Sequence, residues 1–318
     1  MINKINLSNI TKFVDGVEAF VCCASFENRS TKIAENLSTQ ALRRVLICYH
    51  HEYKNESSVN LIKLESYFNS IAFEKTELSI EDPIKSADSL VCAFKEINDQ
   101  NIRSIAIDIT TFTRETLLIL LRILFETKQN YDRLLLLYNP ASEMSETWLS
   151  RGIRGVRGIL GFPGKMVPSK PLHLVIIAGF ELERANSVII DTEPDLISIG
   201  RGSLEGSICH EFSERNKILV KNLSSFYGDT LSTFSCSVNN PYDTIYDIKK
   251  YLEKFSNEYN TVITGLNTKI SSIGIGLYAI QNDEIQLCYP PVNEYNIESY
   301  SSPSEECIII EVDWNKLL

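Results

Sequence analysis

Short motifs that occur twice, in the same order along the chain, constrain the fold more than any other feature of this sequence. The segment Ala24–Glu27 (AlaSerPheGlu) returns as Ala178–Glu181 (AlaGlyPheGlu), and Ile109-Thr110 returns as Ile263-Thr264 at the same spacing. Further matches keep this order: Thr113-Arg114 with Thr268-Lys269 after one inserted residue, Asp82-Pro83 with Asn240-Pro241, and Leu137–Pro140 with Cys288–Pro291. Matches in a constant order are typical of internal duplication, with two unrelated α/β domains as the alternative.

Apolar runs that alternate with helical segments indicate the architecture of each copy. Strands that are apolar throughout and separated by helices predict a parallel sheet covered on both faces. We therefore predict an α/β protein made of two tandem Rossmann-like parallel-sheet units related by internal duplication. The predicted strands are Ala19–Ser25, Arg44–Tyr49, Phe73–Leu78, Ser104–Thr110 and Arg133–Asn139, then Lys170–Phe180, Asp195–Gly200, Ser232–Val238, Asn260–Gly265 and Glu284–Pro290.

The length of 318 residues allows two domains that each bury a core. We expect an N-terminal unit at 1–150, a connector at 151–170 and a C-terminal unit at 171–318, in which Glu306–Trp314 is an edge strand. The connector is rich in Gly, Pro and basic residues, as segments that cross between sheets often are. Its charges are either solvated or contact a polyanion or an acidic partner through Arg151, Arg154, Arg157 or Lys165.

Composition excludes several classes of function. The net charge of −10 argues against a broad surface for duplex nucleic acid, although a local basic pocket stays open. The sequence has neither an apolar run of about 18 residues nor a signal-peptide pattern, so we expect a cytoplasmic protein without a membrane partner. Cysteines inside apolar runs, such as Cys22 and Cys48, are typical of buried thiols, and no Cys or His group has zinc spacing. We expect no metal and no other cofactor.

The turns that follow particular strands form the candidate ligand site. In an open parallel sheet, ligands bind beyond the carboxyl ends of the strands and beside helix N-termini. A Thr-rich turn that opens a helix offers hydroxyls and unpaired backbone N–H groups, and Arg114 and Lys269 add full positive charges. The sequence therefore predicts an anion site, with phosphate as the commonest ligand, in the segments Ser25–Ser30, Asp108–Glu115, Gly179–Ala185 and Thr264–Lys269.

Purely structural roles are open for the same residues. Thr110, Thr111 and Thr113 can cap the helix that follows, and Asp108 can accept hydrogen bonds from backbone N–H groups of the turn. Any single turn of this kind is more often a cap than a ligand site. Two basic Thr turns at matching positions are better explained by a shared ligand.

Two glutamates, Glu27 and Glu181, follow matching predicted strands. Each could bind a ribose hydroxyl or orient an arginine that contacts the ligand. A local ion pair with Arg29 or Arg184 is the alternative that we favour for them.

Common catalytic signatures do not occur in the sequence. The chain has no GxxxxGK[ST], no GxGxxG after the first predicted strand, no GxSxG and no HExxH. The glycine-rich segment Gly200–Ser207 is predicted to be a loop. His50-His51, predicted as an exposed pair at a strand end, could act as acid or base but is more often inert. Tyr295 and Tyr300 could stack on a base or simply cover the end of a sheet.

The segment Asp108–Glu115 (DITTFTRE) resembles the strand-then-turn signature, roughly D-x-T-G-G-T-K, of the CARF family of CRISPR-associated Rossmann-fold sensors. Thr264–Lys269 (TGLNTK) is a looser second version, and Thr111-Phe112 and Gly265-Leu266 stand in place of the central glycine pair. The resemblance implies paired domains that bind a cyclic oligonucleotide with the loops after their first and fourth strands, and the related SAVED domains look like two such units in one chain. Carried over, the ligand contacts are Ser25, Thr110, Thr111, Thr113, Arg114, Gly179, Gly265, Thr268 and Lys269. Such sensors usually carry an effector domain, and no segment is left for one here, so the resemblance implies a separate effector protein.

Three functions remain open at this point. The favoured one is a nucleotide-sensing or regulatory subunit of a bacterial anti-phage defence complex, which binds a phosphorylated or cyclic nucleotide between its two units. The second is a non-catalytic scaffold or adaptor for a partner effector protein, whose turns are only caps. The third is an enzyme that acts on a nucleotide or phosphosugar, with Asp108, Glu27 or His50 as acid-base groups.

Overall fold

The computed structural model describes residues 1–202, 210–255 and 258–317 and divides into two compact units. Unit 1 comprises Met1–Leu149 and Asn296–Leu318, and unit 2 comprises Ser150–Tyr295. No helix in these described ranges is long and apolar enough to cross a membrane.

The secondary structure alternates between strands and helices, as the apolar pattern predicts. The strands are β1 Ile2–Asn6, β2 Ala19–Ala24, β3 Arg44–His50, β4 Phe73–Leu78, β5 Ser104–Asp108, β6 Arg133–Tyr138, β7 Ala141–Met144, β8 Ser150–Ile153, β9 Arg157–Pro163, β10 Leu172–Ile177, β11 Leu196–Gly202, β12 Leu231–Cys236, β13 Asn260–Gly265, β14 Gln286–Tyr289, β15 Val292–Tyr295, β16 Ser301–Pro303 and β17 Glu306–Val312. The helices are α1 Ile10–Phe13, α2 Arg29–Lys32, α3 Ser58–Tyr67, α4 Pro83–Asp99, α5 Arg114–Glu126, α6 Leu182–Thr192, α7 His210–Tyr227, α8 Pro241–Leu252, α9 Lys269–Gln281 and α10 Trp314–Leu317.

The main sheet of unit 1 has the strand order β1-β17-β6-β5-β2-β3-β4. Strands β6, β5, β2, β3 and β4 are parallel, whereas β17 is antiparallel to both β6 and β1. The central strand β2 is buried at every position, because helices cover both faces of the sheet. Phe20, Cys22 and Ala24 of β2 join the core cluster that includes Leu64 and Phe68 from the helical side.

The main sheet of unit 2 has the order β12-β11-β10-β13-β14-β9. Its strands are parallel except for β9, which is antiparallel to β14. Counted along the chain within each unit, the parallel strands run 3-2-1-4-5, which is the order of a Rossmann-type sheet. The chain is therefore an α/β protein with two Rossmann-like units.

Hydrogen bonds at matching positions show the duplication in detail. Asp82 and Asn240 cap α4 and α8, and a proline follows each of them as the first helical residue. Within the first turn of these helices, Ser86 donates to the carbonyl of Ser79 and Thr244 donates to the carbonyl of Ser237, each at 2.7 Å. The two units thus share side-chain contacts as well as strand order, which supports internal duplication over two unrelated domains.

The two repeats of the sequence do not coincide with the two units of the structure. Strands β2 to β9 form the first repeat, and β10 to β17 form the second in the same order. The last two strands of each repeat lie in the other unit: β8 pairs with β15 and β9 with β14 in unit 2, whereas β16 pairs with β7 and β17 with β6 in unit 1.

This exchange corrects the expected domain bounds. Residues 296–318 belong to unit 1 rather than to a C-terminal unit at 171–318. The segment predicted as an edge strand is the interior strand β17, whose residues Cys307–Ile310 are buried between β1 and β6. The expected connector at 151–170 contains β8 and β9, which are paired strands of unit 2. Gly200–Gly202, predicted as part of a loop, complete β11, and residues 203–207 of that prediction lie outside the described residues.

Candidate functional site

Each unit has one topological switch point, where chain order reverses across neighbouring parallel strands. In unit 1 it lies between β2 and β5, and in unit 2 between β10 and β13. Loops that leave the carboxyl ends of such neighbours diverge to opposite faces of the sheet and leave a crevice, where ligands of open α/β sheets bind. The four segments predicted as the ligand site are the loops that follow these strands.

In unit 1, the loop after β5 is fixed by its own polar side chains. Asp108 ends β5, and its Oδ1 accepts a hydrogen bond from the backbone N–H of Thr110 at 2.9 Å. The Thr110 hydroxyl accepts from the N–H of Asn139 at 3.0 Å. The Thr111 hydroxyl donates to the carbonyl of Cys23 at 2.5 Å, which joins this loop to the end of β2. These three side chains are buried and hold the turn together.

Thr113 and Arg114 are the more accessible residues of the same loop. Thr113 is the N-cap of α5, where its hydroxyl accepts from the N–H of Thr116 at 3.2 Å. Arg114 is the first helical residue and is half-buried. The start of this helix therefore combines backbone N–H groups, the positive end of the helix dipole and a guanidinium group, all of which favour an anion.

Unit 2 repeats this arrangement. Thr268 is the N-cap of α9, where its hydroxyl accepts from the N–H of Ser271 at 3.1 Å, and it donates to the carbonyl of Val238. Lys269 is the first helical residue and is half-buried, as Arg114 is in unit 1. The predicted correspondence of Thr110 and Thr264 is wrong by two residues. Val21 pairs with Ile107 in unit 1, and its counterpart Val175 pairs with Ile263 in unit 2, so Thr110 follows β5 whereas Thr264 lies within β13.

Gly179 lies at a close contact between the loops after β10 and β13. A Cβ atom on Gly179 would lie 2.0 Å from the carbonyl oxygen of Leu266. Leu266 also donates its N–H to the carbonyl of Ile177 at 2.9 Å, and the Asn267 side chain donates to the carbonyl of Ala178. Only glycine fits this contact, which explains the change from Ser25 in the first repeat to Gly179 in the second.

Two buried asparagines, missed in the sequence, hold the loops after the first parallel strand of each unit. Asn60 of α3 donates to the carbonyl of Ser25 at 2.8 Å and to that of Glu27 at 3.2 Å. Asn216 of α7 donates to the carbonyls of Ala178 at 2.7 Å and Gly179 at 2.8 Å. Asn60 lies in the helix after β3, and Asn216 lies in the helix after β11, which is the matching strand of unit 2. An asparagine in both matching helices was the sequence signal that could have revealed them.

Glu27 and Arg29 form a buried ion pair in unit 1. Their side chains are 7% and 3% exposed, with 2.7 Å between Arg29 Nη2 and Glu27 Oε2. Arg29 also donates to the carbonyl of Asn139 at 3.0 Å, and Ser301 donates to Glu27 at 2.6 Å. Burial alone would lower the pKa of Arg29, but the Glu27 carboxylate and the Tyr138 hydroxyl outweigh burial and raise it. The guanidinium group is therefore fully charged.

Glu181 and Arg184 form the matching pair in unit 2. Arg184 Nη1 lies 3.0 Å from Glu181 Oε2, and Arg184 donates to the carbonyl of Pro290 at 3.0 Å. Ser150 donates to Glu181, as Ser301 does to Glu27. Burial would lower the pKa of Arg184, but Tyr289, Glu181 and Tyr295 together raise it. The predicted ion pairs of both glutamates are confirmed, so their carboxylates have structural partners at the position where a ribose contact was the alternative.

A cleft of about 430 Å³ opens in unit 1 beside the loop after β2. Its walls include the rings of Phe26 and Tyr300, whose centroids are 5.9 Å apart, and the carboxyl side chains of Glu27, Glu143 and Glu298. No lysine or arginine is among its lining residues. Because carboxylates repel phosphate, this cleft is a poor place for the charged part of a nucleotide.

The histidine pair after β3 differs from the prediction. His50 is buried at the end of the strand, whereas His51 is exposed and lies 3.3 Å from Glu77. The two side chains therefore have different environments and do not form an exposed pair. Among the described residues, no group of three or more His, Cys, Asp or Glu side chains could hold a metal ion.

Comparisons with known proteins give no assignment. No family model matches the chain, and no curated protein matches its sequence significantly. A crystal structure of the cytoplasmic domain of a prokaryotic cation chloride cotransporter is 8% identical, with 88% of this chain and 98% of that chain covered and a TM-score of 0.26. A structure described as AtPrR2 with NADP+ and (+)pinoresinol is 12% identical, with 76% and 87% covered and a TM-score of 0.27. Similarity at this level supports no inference about function.

Proposed function

We propose that the chain is a nucleotide-binding regulatory subunit, with one phosphate-binding position at the start of α5 in unit 1 and another at the start of α9 in unit 2. One observation carries the proposal: at the topological switch point of each unit, a threonine cap is followed by a basic first helical residue. The pairs are Thr113-Arg114 and Thr268-Lys269. A helix start with an added positive side chain at a switch point is a common arrangement for binding phosphate in α/β folds.

The surrounding residues divide the predicted site into two roles. In this proposal, Arg114, Lys269 and the backbone of Gly265 contact the anion. Asp108, Thr110, Thr111 and Ser25 shape the turns, because their polar groups make hydrogen bonds within unit 1. Glu27 and Glu181 stabilise the loops after β2 and β10 through their ion pairs with Arg29 and Arg184. Because Glu27 and Glu181 form ion pairs with Arg29 and Arg184, we assign neither of them an acid-base role in catalysis.

The wider biological role rests on the resemblance of Asp108–Glu115 and Thr264–Lys269 to the CARF signature. On that basis we propose a cyclic or other phosphorylated oligonucleotide as the ligand, and a separate effector protein in an anti-phage defence complex as the partner. The acidic protein, with a net charge of −10, suits a local anion site better than a broad nucleic-acid surface.

Calorimetry on the full chain with cyclic and linear oligonucleotides tests the proposal. We expect Arg114→Ala and Lys269→Ala each to weaken binding about tenfold or more, because a charge-assisted hydrogen bond contributes about 1.5–3 kcal/mol. Binding by the unaltered chain should also weaken as salt rises.

Lys85→Ala is the matched control. Lys85 lies in the first turn of α4, away from the switch point, and pairs with Glu77 at 3.0 Å. Its replacement should leave the affinity unchanged. If no oligonucleotide binds the unaltered chain, or if the Arg114 and Lys269 variants bind as well as it does, the sensor proposal fails and the scaffold function replaces it.

A further inference from the structure

Unit 2 is inserted into unit 1 along the chain. Unit 1 begins at Met1, stops at Leu149 and resumes at Asn296, and everything between these points is unit 2. Unit 2 is thus continuous in sequence and contains all the strands of its own sheet. Two strands of unit 1, β16 and β17, follow the insertion in the sequence and pair with β7 and β6, which precede it.

Strand β17, which follows the insertion in the sequence, is part of the interior of unit 1. Ile308, Ile309 and Ile310 of β17 are at most 4% exposed, and Ile309 belongs to the core cluster of unit 1. β17 also lies between β6 and β1, so without it β1 would have no neighbour in the sheet. Unit 1 therefore needs the returning segment in order to be complete.

The ends of the insertion are held together by unit 2 itself. Ser150 and Tyr295, its first and last residues, are Cα partners in the β8–β15 pair. The chain continues on either side into unit 1, where Asn296 donates its N–H to the carbonyl of Leu149 at 2.9 Å and β7 pairs with β16. A folded unit 2 thus holds both parts of unit 1 in register, whereas an unfolded unit 2 would be a flexible loop from Ser150 to Tyr295 whose closure entropy opposes the folding of unit 1.

We propose that folding is hierarchical: unit 2 folds independently, and unit 1 is stable only while unit 2 is folded. Unit 1 can then open, releasing β16 and β17, while unit 2 stays intact. This inference concerns the fold and does not depend on the proposed nucleotide site.

Two matched variants of the full chain test the hierarchy. Ile47 in β3 and Ile199 in β11 are both fully buried, and they are the Cα partners of Cys22 in β2 and Ile176 in β10. Each lies in the core cluster of its unit. Ile47→Ala and Ile199→Ala therefore make the same change at the same place in the two units.

Native-state hydrogen exchange of amides in β5 and β13 gives the readout. In the hierarchy, β13 becomes exposed only after unit 1 has already opened, so anything that eases the opening of unit 1 also eases that of unit 2. We expect Ile47→Ala to speed exchange in both strands by about tenfold or more, and Ile199→Ala to speed it in β13 while leaving β5 unchanged.

Other patterns overturn the proposal. If each variant affects only its own unit, the units open independently. If both variants speed exchange in both strands, the chain opens as a single entity. If either variant fails to fold, Ile47→Val and Ile199→Val make the same comparison with a smaller change.

Discussion

Ser301 donates its hydroxyl proton to the buried carboxylate of Glu27, with 2.6 Å between Ser301 Oγ and Glu27 Oε2. The donor lies in β16, near the end of the chain, and the acceptor lies in the loop after β2. Glu27 is thereby shared between Arg29 of its own loop and a strand that returns from beyond the insertion. Because β16 follows the insertion in the sequence, the position of the loop after β2 depends on the pairing of β16 with β7.

The Arg29–Glu27 pair should be among the most sensitive points of unit 1. In Arg29→Met, the Glu27 carboxylate loses its charged partner while it stays buried, which typically costs about 3–5 kcal/mol of stability. We expect a fall of this size in the free energy of unfolding, measured with urea. Arg184→Met should lower the stability of unit 2 in the same way, because Glu181 would lose its charged partner while only 14% of its side chain is exposed.

Arg43→Met is the comparison variant. Arg43 pairs with Glu18 at 3.1 Å, but its side chain is 53% exposed, and pairs on the surface contribute at most about 1 kcal/mol. A loss in Arg29→Met no larger than that in Arg43→Met would show that the buried pair does not hold the loop.

His173 should make the stability of unit 2 depend on pH. Its ring is buried in β10, its Nε2 lies 2.7 Å from Ser198 Oγ, and it packs against Phe255 at 4.7 Å between ring centroids. Burial lowers the pKa of His173 from 6.5 to about 4. The unfolded chain therefore takes up this proton at a higher pH than the folded chain does, so stability is complete above about pH 6.5 and declines towards pH 4.

The loss of unfolding free energy due to His173 should be about 3 kcal/mol at most, because this is the free energy that corresponds to the difference between its folded and unfolded pKa. Urea unfolding of the unaltered chain and of His173→Gln at pH 7 and pH 4.5 measures it. The variant lacks this titration, while the carboxylates titrate in both proteins and cancel in the difference. Equal losses in the two proteins would show that His173 is protonated in the folded state.

Local sequence signals were enough to predict the strands and the caps of the candidate site. The strands Phe73–Leu78 and Asn260–Gly265 have the predicted bounds, because continuous apolar or alternating runs between turns define them. Thr113 and Thr268 cap their helices, as the Thr-rich turns predicted. Each of these features depends on residues that are close together in the sequence.

Features that depend on distant residues were missed. The run Glu306–Trp314 was predicted as an edge strand, but the neighbours of β17, β1 and β6, are set by pairings such as Ile308 with Tyr138, which no local pattern reveals. The serine donors Ser150 and Ser301 were missed for the same reason, since their acceptors lie in another part of the chain. Helix α7 was missed for a different, local reason: its first turns are mostly polar and give a weak helical pattern.

The two caps should contribute to stability separately from any ligand. In Thr113→Ala and Thr268→Ala, the N–H groups of Thr116 and Ser271 lose their side-chain acceptors, which costs about 1 kcal/mol per cap. Thermal unfolding without ligand measures the loss. Thr113→Ser and Thr268→Ser keep the hydroxyl and should be close to the unaltered chain; if serine is as harmful as alanine, the hydroxyl is not what stabilises the helix start.

Gly179 allows the most direct test of the loop geometry in unit 2. A methyl group at this position would meet the Leu266 carbonyl at 2.0 Å, and backbone atoms cannot move aside as a flexible side chain can. Gly179→Ala should therefore push apart the loops after β10 and β13 and lower the free energy of unfolding by about 2 kcal/mol or more.

Gly158→Ala is the control, since its added methyl group would meet only a side-chain atom of Gln286 at an ordinary 3.5 Å. The urea midpoint should fall clearly for Gly179→Ala and change little for Gly158→Ala. A stable Gly179→Ala protein would mean that the loops after β10 and β13 are not held in contact.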